Sequence, residues 1–201
     1  MRCKCLCDET WTLADGENTH EQYDYKAFRY VTLHPESGVK IQDISATVRH
    51  YPFPDDFCTL ETNDKRLYSI WTICKNAVKY GAQEVFVDCP MREKGQYAGD
   101  PTVTSSAHVI LTGDTSLLKK AIDNQIQSSF ICDGLMAVTP GSHMQEIADY
   151  SLQFPLLVLN YYYHTHDSAY LSESYEYCQR LIRHFQKFAR QDGLLADVTD
   201  K

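Results

Sequence analysis

The chain has 201 residues, 43% of them hydrophobic and 23% charged, which is the composition of a folded domain and not of a disordered segment. Its formal charge of -8, from 27 acidic against 19 basic residues, argues against a nucleic-acid backbone as partner, because phosphate binding needs clustered Lys and Arg. No run of 18 or more apolar residues is present to span a membrane.

The N-terminal Met1-Arg2-Cys3-Lys4-Cys5-Leu6-Cys7 lacks the apolar core of a secretion signal, which sets a cytoplasmic location as the expectation. Cys3, Cys5 and Cys7 alternate, so on an extended chain they share a face. Their spacing is not that of a zinc site, however, and no second ligand pair follows. The other cysteines, Cys58, Cys74, Cys89, Cys132 and Cys178, are scattered singly and read as reduced, small apolar side chains.

Residues 1–56 read as strands plus a linker. Phe28-Arg29-Tyr30-Val31-Thr32-Leu33 is β-rich, His34 to Gly38 is a turn, and Val39 to Val48 alternates with a phase slip at Asp43. Tyr51-Pro52-Phe53-Pro54 cannot sit in a central ladder and reads as a linker. From residue 57 onward the period becomes helical. Asn63 or Asp64 caps a helix whose apolar side is Leu67, Ile70, Trp71, Cys74 and Val78, and Gly81 closes it.

A second helix is expected over about 102–111, and a third, capped by Asp114, to about Gln127. The apolar stretch at 146–165 must be split or kinked at Pro155. Asp167 caps a last helix to about Arg190, with Gly193 beyond it. Leu111 to Leu118 echoes His164 to Leu171, 53 residues later, each copy closing one helix and opening the next at an Asp. Repeats of this size point to stacked helical hairpins, in an array or a toroid.

The chemistry concentrates in Asp88-Cys89-Pro90-Met91-Arg92-Glu93-Lys94-Gly95-Gln96-Tyr97-Ala98-Gly99-Asp100-Pro101. Three carboxylates, Asp88, Glu93 and Asp100, share one loop, and close carboxylates raise one another's pKa. A Glu kept protonated near neutral pH can deliver a proton to a glycosidic oxygen, while ionised neighbours hold sugar hydroxyls. Arg92 can keep an adjacent carboxylate ionised. Two other readings of the loop are a solvated charged turn and a calcium loop, although its spacing departs from the EF-hand pattern. His108, His143, His164 and His166 lack metal-ligand spacing, so no metal is expected. No phosphate-cradling glycine motif is present either.

This stretch resembles the signature of the family 78 glycoside hydrolases, the bacterial α-L-rhamnosidases, whose motif runs Asp-Cys-Pro-x-Arg-(Asp/Glu), a short turn, an aromatic residue and Gly-Asp. The resemblance extends from about residue 25 to the end. It implies a mainly α fold, part of a six-hairpin (α/α)6 toroid over 57–201, preceded by a few β-strands of a β-sandwich in 1–56. It also implies an inverting mechanism on a rhamnosyl-containing saccharide or glycoside, with no cofactor.

By the same resemblance Glu93 matches the general acid, Asp88 and Asp100 match carboxylates that hold rhamnose, and Arg92 lies in the binding loop. Tyr97 stands where many members carry Trp, and Gln96-Tyr97-Ala98 departs from the usual Gly-Trp-Thr. The family's general base lies beyond Lys201, and neither Asp133 nor Asp149 matches it. The chain alone is therefore expected to be inactive or nearly so. The alternatives are a non-catalytic remnant that at best binds sugar, and a helical-toroid domain of unrelated function. Exposed apolar helix edges would favour self-association.

Overall fold

The structure, a computed structural model, describes residues 8–130, 134–140 and 147–198. Cys3, Cys5, Cys7, Cys132, Asp133 and His143 lie outside the described residues. Among the described residues six helices follow in order: α1 (Lys65–Gly81), α2 (Asp100–Thr112), α3 (Ser116–Ser128), α4 (Ala148–Ser151), α5 (Phe154–Thr165) and α6 (Ser168–Gln186). The fold is mainly helical, as the sequence implied.

Each boundary has a local cause. Asp64 accepts the N–H groups of Arg66 at 2.8 Å and Leu67 at 3.2 Å, filling two of the orphan donors at the start of α1. Pro101 sits in the first turn of α2, where its missing N–H leaves no partner wanting. Pro155 does the same for α5, so the apolar stretch at 146–165 is split into α4 and α5 and not kinked within one helix. The last helix ends at Gln186, four residues short of the expected end at Arg190.

The two echoing segments build the same corner. Thr112 Oγ1 donates to the His108 carbonyl and accepts the N–H of Asp114, at 2.7 and 3.1 Å. Thr165 Oγ1 repeats this with the Tyr161 carbonyl and the N–H of Asp167, at 2.9 and 3.2 Å. Between them Gly113 and His166 take left-handed backbone, φ 72° and 54°. The two aspartates then accept N–H groups of the following helix, Ser116 and Tyr170. The repeat in the sequence is thus a repeat of two helix–corner–helix units.

The core lies among α2, α3, α5 and α6. Leu118, Ile122, Phe154, Leu157 and Leu181 are fully enclosed, with Phe86 and Met136 closing the ends. Removing this much apolar surface from water is the main stabilising term, at about 25 cal/mol per Å². Helix α1 differs. It packs beside α2 but buries no side chain fully, and Leu67, Ile70, Ile73 and Cys74 face outward. The spaced apolar side chains do align on one helix, but Leu67, Ile70 and Cys74 among them are exposed.

Residues 28–33 and 39–48 form no strand among the described residues, and their apolar side chains are exposed. A strand is stable only where an adjacent chain takes its backbone N–H and C=O groups, and no such chain lies beside this segment among the described residues. The strands expected over these residues therefore do not form a ladder among the described residues.

Candidate active site

The chain leaves α1 at Gly81 and turns through Phe86, which is fully buried, so the following loop starts from a fixed point. The Val87 N–H donates to the Gly81 carbonyl at 3.0 Å. Asp88 then opens a closed loop. Its N–H donates to the Gly95 carbonyl, and the Gly95 N–H donates to Asp88 Oδ1, both at 2.9 Å. This double clasp fastens the loop at its two ends and leaves Cys89 to Lys94 to bulge outward.

Glu93 sits on that bulge with its side chain exposed to solvent and turned back toward Asp88. Carboxylate oxygens of Asp88 and Glu93 and the Cys89 sulfur all lie within 4.8 Å of one another. Cys89 Sγ donates to Glu93 Oε2 at 3.5 Å, and the Arg92 guanidinium stands 3.7 Å from the same oxygen.

The neighbours divide the two acids. The hydrogen bond shared with Asp88 pushes the Glu93 carboxyl above its usual range, against the smaller pulls of Cys89 and Arg92. For Asp88, burial works upward, but hydrogen bonds from Glu93, the Gly95 N–H and Cys89 outweigh it and hold the carboxyl below its usual range. Of the two, Glu93 is the group whose protonated form the arrangement favours. Asp100, at the start of α2, is raised by burial and by the charge of Asp88. The Tyr97 hydroxyl is raised by burial and then by Glu93, Asp88 and Asp100 in turn. Tyr97 thus stands in the field of all three carboxylates, and the structure gathers Asp88, Arg92, Glu93, Tyr97 and Asp100 in one place.

Some contributors carry no signal in the sequence. Lys94, at φ 52°, reaches back to the N-terminal segment. Its Nζ donates to both Asp24 oxygens at 2.8 Å and to the Tyr25 carbonyl at 2.6 Å, and lies 4.4 Å from the Tyr25 ring centre. No local pattern could link residues 70 positions apart. Gly99 packs under the Tyr150 ring so closely that a Cβ there would lie 2.9 Å from it. Asp149, next to Tyr150, is exposed in the first turn of α4. His108 is buried among aromatic rings, and His164 and His166 are exposed.

A family model described as the bacterial alpha-L-rhamnosidase six-hairpin glycosidase domain matches residues 55–200. The chain belongs to this family. Among solved structures it is similar to a family 78 rhamnosidase of Bacillus sp. GL1, at 20% identity and TM-score 0.69 over 73% of this chain. It is also similar to a rhamnosidase from Klebsiella oxytoca with rhamnose bound, at 19% identity and TM-score 0.60, again over 73% of this chain. The chain spans 15% of the first of these and 29% of the second. No curated protein matches it. At such identities the likeness speaks for the fold, and the site must be argued from its own residues.

Proposed function

We propose that this chain carries the proton-donating side of an inverting α-L-rhamnosidase site, acting on terminal rhamnosyl residues of a saccharide or glycoside. One observation supports this above the others. Glu93, in the loop whose sequence matches the family motif, shares a hydrogen bond with Asp88 that favours its protonated form.

Glu93 is the acid that protonates the leaving glycosidic oxygen. As the proton departs, the Arg92 guanidinium, 3.7 Å away, meets the new negative charge. Asp88, held ionised, and Asp100 accept hydrogen bonds from sugar hydroxyls, and the negative field they create suits an oxocarbenium-like transition state. Tyr97 offers a flat face beside them. Inversion also needs a carboxylate that activates water from the opposite side, about 6.5–9.5 Å from the acid. Asp88 shares a hydrogen bond with Glu93, so it is too close for that task. The family resemblance puts the base beyond Lys201, and turnover by this chain alone is expected to be very slow.

The test separates binding from turnover. L-Rhamnose is titrated into the ¹⁵N-labelled chain while the amide signals of residues 88–100 are followed, with D-glucose in parallel. Saturable shifts with rhamnose that weaken in Asp100→Ala are the expected result. Equal response to both sugars, or none, would overturn the reading. Hydrolysis of an aryl α-L-rhamnoside by the same chain should be at or near background. Rapid turnover abolished by Glu93→Gln would place a base within the chain.

A further inference from the structure

The reach of α3 toward the acidic loop has a consequence for the Asp88–Glu93 pair. Ala121, Asn124 and Gln125 are spaced three and four apart, so they share one face of that helix. Asn124 Nδ2 donates to Gln96 Oε1 at 2.9 Å. Gln96 Nε2 donates to the Ala121 carbonyl at 3.3 Å, and Gln125 Nε2 donates to the Ala98 carbonyl at 3.2 Å. From the other side the Ala98 N–H donates to the Val138 carbonyl at 2.8 Å. Gln96 and Gln125 are both buried, so their bonds to the Ala121 and Ala98 carbonyls form away from competing water, while the Asn124 bond is half-buried.

Gln96 directly follows Gly95, the residue whose N–H and carbonyl both bind Asp88. The path is short. Helix α3 holds Gln96, Gln96 holds Gly95 in place, Gly95 clasps Asp88, and Asp88 meets Glu93. A rigid helix thus determines where one end of the acidic loop sits.

We infer that Gln96 and Asn124 are positioning residues for the Asp88–Glu93 pair, acting through the Gly95 clasp and touching no substrate themselves. This rests on the reading of Glu93 as the acid. In that reading the pair must stay within hydrogen-bond reach for Glu93 to keep its proton. Gln96 is one of the positions where the chain departs from the family's usual loop residues, and Asn124 is the side chain that receives it. The loop is registered to the helix by an amide pair of fixed length and direction.

The experiment follows the carboxyl carbons of Asp88 and Glu93 by ¹³C NMR against pH. It compares the wild-type chain with Asn124→Ala and Asn124→Leu, the second of which keeps bulk and helix propensity. Tyr170→Phe serves as control. It removes the hydrogen bond that Tyr170 of α6 donates to Asp123 of α3, at 2.5 Å, and changes no residue of the loop. Cys89, Arg92, Tyr97 and Asp100, together with Tyr25 of the N-terminal segment, are the other charged or titratable neighbours and are unchanged throughout.

The expected result is that both Asn124 variants bring the two apparent titrations closer by about half a pH unit or more, while Tyr170→Phe lowers thermal stability and leaves them where they were. Unmoved titrations in folded Asn124 variants would overturn the inference. So would an equal shift in Tyr170→Phe, or the failure of both Asn124 variants to fold, either of which makes the contact structural alone. Because titration needs no turnover, a positive result stands even where the chain binds no rhamnose, and the two readings fail separately.

Discussion

His108 makes the stability of this domain depend on pH in a calculable way. Its ring is fully enclosed on α2, with the rings of Tyr51, Phe53 and Phe86 meeting it edge-on at centroid distances of 5.9, 6.1 and 5.3 Å. Nδ1 lies 3.4 Å from Thr112 Oγ1, and Nε2 has no partner among the described residues. Burial pushes the imidazole pKa below its ordinary value, and the charge of Asp114, the acid that faces it, only partly opposes this. The folded state therefore holds His108 neutral where the unfolded chain takes up a proton.

Stability from this group is complete above the unfolded pKa of about 6.5 and is lost as pH falls below it. At pH 5.5, one unit below, the loss is at most ~1.4 kcal/mol, the free energy of protonating the unfolded chain. Against a domain stability of roughly 5–15 kcal/mol that is readily measured. Urea unfolding of wild type and His108→Gln at pH 7.5, 6.5 and 5.5 isolates the term. The gap between the two proteins should narrow or reverse by up to that amount between the first and last pH. A gap that stays constant would refute the reasoning and place the proton elsewhere.

Other outcomes follow from the same geometry. Asp88→Asn removes the hydrogen-bonded charge that raises Glu93, so the Glu93 titration should move down toward the ordinary carboxylate range, and NMR of its carboxyl would show no movement if the pairing is absent. Gly113→Ala places a Cβ at φ 72° and 2.6 Å from the Phe57 ring; a stability loss of about 1–2 kcal/mol is expected in thermal unfolding, and an unchanged midpoint would contradict the strained corner. The outward apolar side chains of α1, with Phe130 and Tyr163, favour association of one copy with another, so sedimentation should show mass rising with concentration; a monomer throughout would count against it.

The helices were legible because their signals are local. Asp64, Asp114 and Asp167 mark helix starts, Pro101 and Pro155 fit first turns, and the Thr112 and Thr165 corners were visible as a repeat 53 residues apart. The acidic loop was legible for the same reason, since Asp88, Glu93 and Asp100 lie within 13 residues. What could not be read is what depends on distant partners. The clasp of Lys94 on Asp24 and Tyr25, and the seating of Gln96 on Asn124, join segments with no shared period. The stripe on α1 shows the converse limit. Its spacing states only that side chains align, not that anything covers them.

That uncovered helix has a further consequence, for the order in which the molecule comes apart. Local opening is easiest where few side chains are sequestered, so α1 forms a low-stability unit whose amides should exchange with solvent well before those of α3 and α5. The acidic loop follows α1 in the chain yet is fastened at its far end to α3. Fraying of the helix that leads into the loop therefore need not release Asp88 and Glu93 from one another. The acidic site is carried by the slow-opening part of the fold.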